Sequence, residues 1–265
     1  LVDSDEDGVS DEDEIARGSN PEDPGHVPVF QAEGAVIHPL SGAAIVIEAG
    51  SLPQYVLVIK AGTPGLIPSG AIPEGKRAST VALSLEPDGA TFSLPVQVTL
   101  PYSVSAVSGL VESSLTVVYF DGADYAADGI ADVSVDTVRK EVVFTTTHFT
   151  DFLIVGSPAD SDSDGIPDID DLFPHNGFGA TDSDGDGIGD EWEDRWFGDG
   201  DGEIEAGELS VANAHSDFDM DGVSDRVEFT LAPFGLDPTD GSTLLPAVTR
   251  GWLGLLGAGM ALAVS

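Results

Sequence analysis

Between residues 182 and 193 the chain reads D-S-D-G-D-G-I-G-D-E-W-E, a run of oxygen donors spaced as a hard divalent cation needs them. Asp182, Asp184, Asp186, Asp190 and Glu193 fall at positions one, three, five, nine and twelve of a loop. Gly187 sits at position six, where the chain must turn sharply, and Ile188 offers its carbonyl at position seven. Calcium takes roughly six to eight oxygens in irregular geometry. A short loop with alternate side chains turned inward supplies them, and a terminal glutamate closes the shell with both oxygens.

The register recurs. Asp3, Asp5, Asp7, Gly8, Val9, Asp11 and Glu14 repeat it near the start. Asp160, Asp162, Asp164, Gly165, Ile166, Asp168 and Asp171 repeat it with Asp in the last place, and Asp217, Asp219, Asp221, Gly222, Val223, Asp225 and Glu228 repeat it again. A weaker fifth copy runs through Asp199, Asp201, Gly202, Glu203, Ile204, Glu205 and Glu208, with Phe197 where the first ligand belongs. Most acidic runs are solvated surface. Four recurrences of glycine at position six followed by an apolar residue argue for bound calcium ions instead.

Charge follows the loops. Of 48 acidic residues, 25 lie in 157–243 and 10 in 1–26, against 13 in 27–156, where five of the 9 basic residues also lie. A general adaptation to salt would acidify the middle as strongly. The net charge of -39 excludes nucleic acid as a partner, since phosphates demand a basic face. The absence of cysteine excludes disulfide scaffolds and thiolate-held zinc.

Other chemistry finds little support. The histidines His26, His38, His148, His175 and His215 show no H-E-x-x-H spacing, and no pair stands three or four apart. His148 near Asp151 is the closest approach to an acid–base pair. No G-x-S-x-G elbow or phosphate-cradling loop occurs. Trp192 and Trp196, four apart, suit the packing face of one helix better than a sugar platform. The chain is expected not to be an enzyme.

The elements that must position these loops differ along the chain. Residues 1–26 hold one loop, a helical turn at 15–17 and an exit stopped by Gly18, Pro21 and Pro24. A similar exit, G-L-D-P-T-D, follows the last loop. Residues 27–156 carry short runs of Val, Ile, Leu, Thr and aromatics between turn residues, predicting strands near 35–37, 43–47, 55–61, 80–86, 96–100, 115–120, 133–135, 141–146 and 152–155. Phe92, Leu94 and Val96 alternate toward a core, and Pro95 suits a bulge or an edge. Residues 157–243 form the loop array, with short helices after the loops and metal doing most of the organising. The fold class expected is mainly β: an antiparallel β-sandwich flanked by irregular calcium-loop repeats with short helices.

Two resemblances sharpen this. The stretch E-P-D-G-A-T-F-S-L-P-V from Glu86 to Val96, running on to Leu100, Pro101 and Tyr102, resembles the signature of the ZU-type sandwich of ankyrins and netrin receptors. I-E-A-G-S-L from Ile47 resembles that family's P-x-G-A-L phrase, and H-F-T-D-F-L-I-V from His148 its closing strand. That resemblance implies an interaction or spacer module and a structural His148. The array resembles bacterial, cysteine-free thrombospondin type 3 repeats, with L-F-P-H-N after Asp171 matching the phrase that follows a loop and Phe173 in the cysteine's place. It implies that the carboxylates above are calcium ligands.

The final stretch, 244–265, is apolar, and its uncharged portion of 15 residues (251–265) falls short of the ~20 that span a bilayer. It resembles the carboxy-terminal sorting tails of Gram-negative surface proteins, without their basic cluster. The chain begins at Leu1 rather than Met, so it is expected to be part of a longer protein. Together these readings predict a calcium-stiffened stalk or spacer, extracellular or on the cell surface, attached to a membrane through its tail, and meeting a surface protein or polysaccharide. The alternative expectation is an accessory region of a larger secreted hydrolase.

Overall fold

Alternating segments of the middle region pair into two antiparallel sheets that close over one core. The computed structural model describes residues 2–39, 41–52, 56–64, 67, 70–198, 207, 209, 212, 213 and 215–242, and divides the chain into two units, Leu1–Ala159 and Asp160–Ser265. In the first unit the strands are β1 (His26–Phe30), β2 (Ala35–Ile37), β3 (Ala44–Ile47), β4 (Val56–Gly62), β5 (Arg77–Glu86), β6 (Thr91–Pro101), β7 (Thr116–Phe120), β8 (Tyr125–Ala126), β9 (Ile130–Asp136), β10 (Glu141–His148) and β11 (Asp151–Gly156). One sheet has the order β1-β4-β5-β11-β7-β8 and the other β2-β3-β6-β10-β9. The mainly β antiparallel sandwich expected from the sequence is thus the observed fold.

Each sheet turns alternate residues inward. Ile59, Leu83 and Ile154 from one meet Ile45, Val98 and Phe144 from the other in a single buried cluster. The rings of Phe144 and Phe152 meet across the interface at 5.2 Å between centroids. Fully burying a side chain of this size contributes about 1.5–3 kcal/mol.

Three details depart from expectation. β1 was hidden by Pro28, which removes a ladder donor. β1 pairs only with β4, at the edge of its sheet, where a strand tolerates proline. The two-residue β8 was also unpredicted, being too short to show a period. Leu94 does not enter the core: it is 40% exposed, while Phe92 and Val96 are buried. The register of β6 against β10 shifts between Thr146 and His148, beside the irregularity that holds Pro95, and the two-residue alternation fails there.

Loop residues 3–14 belong to this first unit and run into α1 (Asp11–Arg17), which starts earlier than the predicted turn. Ser10 caps α1 by accepting the amide of Asp13 at 3.3 Å, and Gly18 ends it in a left-handed conformation. The guanidinium of Arg17 lies 4.9 Å from the ring centre of Phe30 in β1, fastening the helix to the sandwich.

In the second unit α2 (Asp190–Phe197) follows residues 182–189 and α3 (Asp225–Leu231) follows 217–224. Every helix that follows a loop therefore begins at position nine, with acidic residues in its first turn where the helix dipole favours them. Residues 160–171 lead into a turn rather than a helix. Asp171 takes the amide of Phe173 on its own side chain at 2.7 Å, and Pro174 follows with no amide to give.

Metal was expected to do most of the organising of the array, yet the second unit holds a small apolar core. Ile188, Trp192, Phe229, Ala212 and Ala232 are buried together, with Phe173, Phe178, Trp196 and Phe197 packed around them. Phe229 is the hub, its ring 5.7 Å from that of Trp192 and 4.8 Å from that of Phe173. Gly189 lets it approach: a Cβ there would stand 2.8 Å from the Cα of Gly179 and 3.1 Å from the Phe229 ring. Among the described residues no helix is long and apolar enough to cross a membrane, and the apolar stretch 244–265 lies outside them.

Candidate metal centres

Backbone amides fix the acidic side chains of the four loops in one repeated pattern. The position-six amide donates to the position-one carboxylate, from Gly8 to Asp3 at 3.1 Å, Gly165 to Asp160 at 3.1 Å, Gly187 to Asp182 at 3.0 Å and Gly222 to Asp217 at 3.0 Å. The position-seven amide donates to position five, from Val9 to Asp7, Ile166 to Asp164 and Val223 to Asp221 at 2.7 Å and Ile188 to Asp186 at 2.9 Å. The position-five amide donates back to Asp5, Asp162, Asp184 or Asp219 at position three. Such closure needs left-handed backbone at position six, where Gly8, Gly165, Gly187 and Gly222 have φ of 95, 98, 88 and 92°. Glycine adopts that region without steric penalty.

Asp160 and Asp182 accept amides on both oxygens, but at seven of the other positions one oxygen is held and the second is left bare. In the first loop Asp3 Oδ1, Asp5 Oδ2 and Asp7 Oδ2 are buried without a hydrogen-bond partner; Asp162 Oδ2, Asp186 Oδ2, Asp217 Oδ1 and Asp219 Oδ2 are in the same state. In each of the four loops the carboxylates at positions one, three and five bring ligand atoms within 4.8 Å of one another. Like charges so close repel one another unless a cation stands between them.

Position twelve completes each cluster. Glu14, Glu193 and Glu228 are at most 1% exposed and Asp171 is 8% exposed, and each leaves at least one carboxylate oxygen unpartnered; Glu193 leaves both. Burial first, then the aspartates of its own loop, pushes Glu193 up to about 8 and Glu228 up to about 8. Burial and then Asp5 and Asp7 push Glu14 up to about 6, and Asp171 is raised by burial and by Asp162, Asp164 and Asp168, against the Phe173 amide. A buried, unpaired carboxylate facing three others is unfavourable by itself and favourable around a divalent ion.

Position nine has a different task. Asp11, Asp168 and Asp190 each accept the amide of the position-two serine on one oxygen and its hydroxyl on the other, at 2.6 to 2.8 Å, from Ser4, Ser161 and Ser183. These aspartates clasp the loop shut and reach a cation only through their remaining lone pairs. The fourth loop has Phe218 at position two: its amide reaches Asp225 at 3.0 Å, and Asp225 Oδ2 stays buried and unpartnered. The clasping serines were missed in the sequence reading, although the recurring D-S-D was there to see.

The weaker fifth copy falls elsewhere. Asp199, Asp201, Glu203 and Glu208 lie outside the described residues; Phe197, in its first place, packs against Trp192 at 5.6 Å and Phe218 at 5.1 Å. Trp192 is fully buried and shares the apolar core with Trp196, as the packing-face reading required. His148 meets Tyr119 edge-on at 4.5 Å, its Nε2 is buried without a partner, and burial lowers its pKa while Asp88 acts in the opposite direction. No hydrogen bond joins it to Asp151 among the described residues.

No protein-family model matches this chain, and no curated protein sequence matches it. The chemistry therefore rests on geometry. Four all-oxygen clusters, each three aspartates facing a buried acidic side chain, could hold metal ions.

Proposed function

We propose that the chain is a calcium-binding structural protein of the cell exterior, a spacer or stalk in which bound ions stiffen acidic repeats on either side of a β-sandwich. The observation that carries this reading is Glu193: wholly buried, with neither carboxylate oxygen partnered, beside the Asp182–Asp184–Asp186 cluster. Glu14 and Glu228 repeat the burial, each with one oxygen unpartnered. An all-oxygen set with a carboxylate able to bind through both oxygens suits calcium; magnesium prefers fewer protein ligands and keeps its waters. The likeness of the array to thrombospondin type 3 repeats, and of the sandwich to ZU-type modules, points the same way and implies no catalysis.

Extracellular calcium modules have Kd values of about 0.1 to 1 mM. At about 1 mM free calcium, a site of Kd about 0.1 mM contributes roughly 1.4 kcal/mol, and four sites about 6 kcal/mol. That equals the stability of a small domain, so ion binding and folding of the repeats are one event. Cytosolic calcium is too low to fill such sites, which is why the reading places the chain outside, attached through its apolar tail and facing a surface protein or polysaccharide. The test is calorimetric calcium titration of the full chain with circular dichroism alongside. Uptake near millimolar calcium with a gain of ordered structure is expected; no uptake at 10-fold higher calcium overturns the proposal.

A further inference from the structure

Position ten differs among the loops. Glu12, Ile169 and Glu191 occupy it in three of them, and Arg226 occupies it in the fourth. Arg226 starts in the fourth loop's helix but its head group lies on the third loop. The point a Cβ on Gly187 would occupy is 2.8 Å from Arg226 Cζ, 2.9 Å from Nη2 and 3.0 Å from Nε. The guanidinium therefore rests on the α-carbon of position six of the third loop, where only glycine leaves it room. That same glycine donates its amide to Asp182.

The contact brings a fixed positive charge to the acidic cluster of the third loop. Gly187 directly follows Asp186 in the chain, so a guanidinium resting on it stands beside the aspartates of the third loop. Among the described residues Arg226 forms no ion pair of its own, so no carboxylate neutralises it directly. A charge that eases crowding of the empty loop opposes an arriving cation by the same Coulomb law.

We infer that Arg226 sets the metal affinity of the third loop, stabilising the Asp182–Asp184–Asp186 cluster before calcium arrives and weakening calcium's hold afterwards. This rests on the calcium reading above and adds a coupling between neighbouring loops: a residue carried by one adjusts the other. It also keeps the third loop responsive, since a weaker site fills and empties over a higher range of calcium.

The experiment is calcium titration of the full chain at low salt, followed by calorimetry and by emission of Trp192, which stands next to Glu193. The step lost in Glu193→Gln assigns the third loop. Arg226→Gln is expected to tighten that step about three- to ten-fold, to leave the steps of the first and second loops in place, and to lose the difference in about 1 M salt, where the Debye length shrinks to about 3 Å. Arg226→Lys, which keeps the charge, is expected to stay nearer the wild type. A Gln variant that titrates like the wild type or more weakly overturns the inference, as does a Lys variant that behaves like Gln, because a packing role for the guanidinium would do the same. A wild-type chain that takes up no calcium removes the calcium reading and this inference together; normal uptake with an unchanged Gln variant removes this inference alone.

Discussion

Asn176 donates its side-chain amide to the backbone carbonyl of Phe229 at 2.9 Å, tying the exit of the second loop to the helix that closes the fourth. Asn176 is 8% exposed, so the bond forms away from water. Through residues 53 apart in sequence the two loops thereby share one support. Asn176→Ala removes this bond while the Phe229 carbonyl keeps the amide of Ala232, and is expected to destabilise the second unit by about 0.5–1.5 kcal/mol. Urea unfolding in saturating calcium measures this.

Phe229 carries more of the same unit. Phe229→Ala empties the space between Trp192, Phe173 and the Gly179–Gly189 contact, with an expected loss of about 3–5 kcal/mol. The midpoint for calcium should rise, because ions must then organise loops that no longer share a core. A variant with unchanged midpoint and unfolding would show that the loops fold one by one.

Glu193→Gln keeps the shape of position twelve and removes its charge. One calcium should vanish from the calorimetric stoichiometry. Without calcium at neutral pH the variant should be more stable than the wild type, since folding must keep Glu193, pushed up to about 8, protonated against an ordinary value of 4.5, and glutamine carries no such cost. Unaltered stoichiometry would remove Glu193 from the ligand set.

The pH dependence of the metal-free chain follows from the same groups. In the folded state Glu14 is pushed up to about 6 and Glu193 and Glu228 to about 8, against an ordinary value of 4.5. A raised carboxylate binds more protons folded than unfolded, so its stabilising contribution is complete below pH 4.5 and is lost as pH rises through the folded value. Metal-free protein should therefore weaken steadily from about pH 5 to about pH 8. Calcium displaces those protons, so its affinity should fall as pH drops through the same range. Thermal melts at several pH values, with and without calcium, read both slopes.

Removing metal should act unequally on the two units. The sandwich has its own core of Phe144, Phe152 and their neighbours, whereas the described residues of the second unit bury the small cluster around Phe229. Chelator is expected to unfold the second unit while the sandwich keeps its cooperative transition. A single transition lowered as a whole would contradict this.

Much of the candidate site was written in the local chain. Carboxylates at positions one, three, five and twelve, with glycine at six, constrain one another within a dozen residues, and the short range of backbone hydrogen bonds makes such loops legible. The strands of 27–156 were legible for a related reason: a period of two survives wherever one face is buried and the other wet. That period broke at Leu94, where β6 slips against β10, and β1 escaped notice because its proline is tolerable only at a sheet edge, a place assigned by the other strands.

The tertiary structure alone decided which loops touch. Arg226 resting on Gly187, Asn176 reaching Phe229, and Phe229 filling the space beside Gly179 and Gly189 join residues distant in the chain. Their pairing depends on how separate backbones pack, and residue spacing carries no record of that. The acidic clusters were fixed by sequence because each loop closes on itself; the support that aligns the loops arose only when several of them shared one apolar centre.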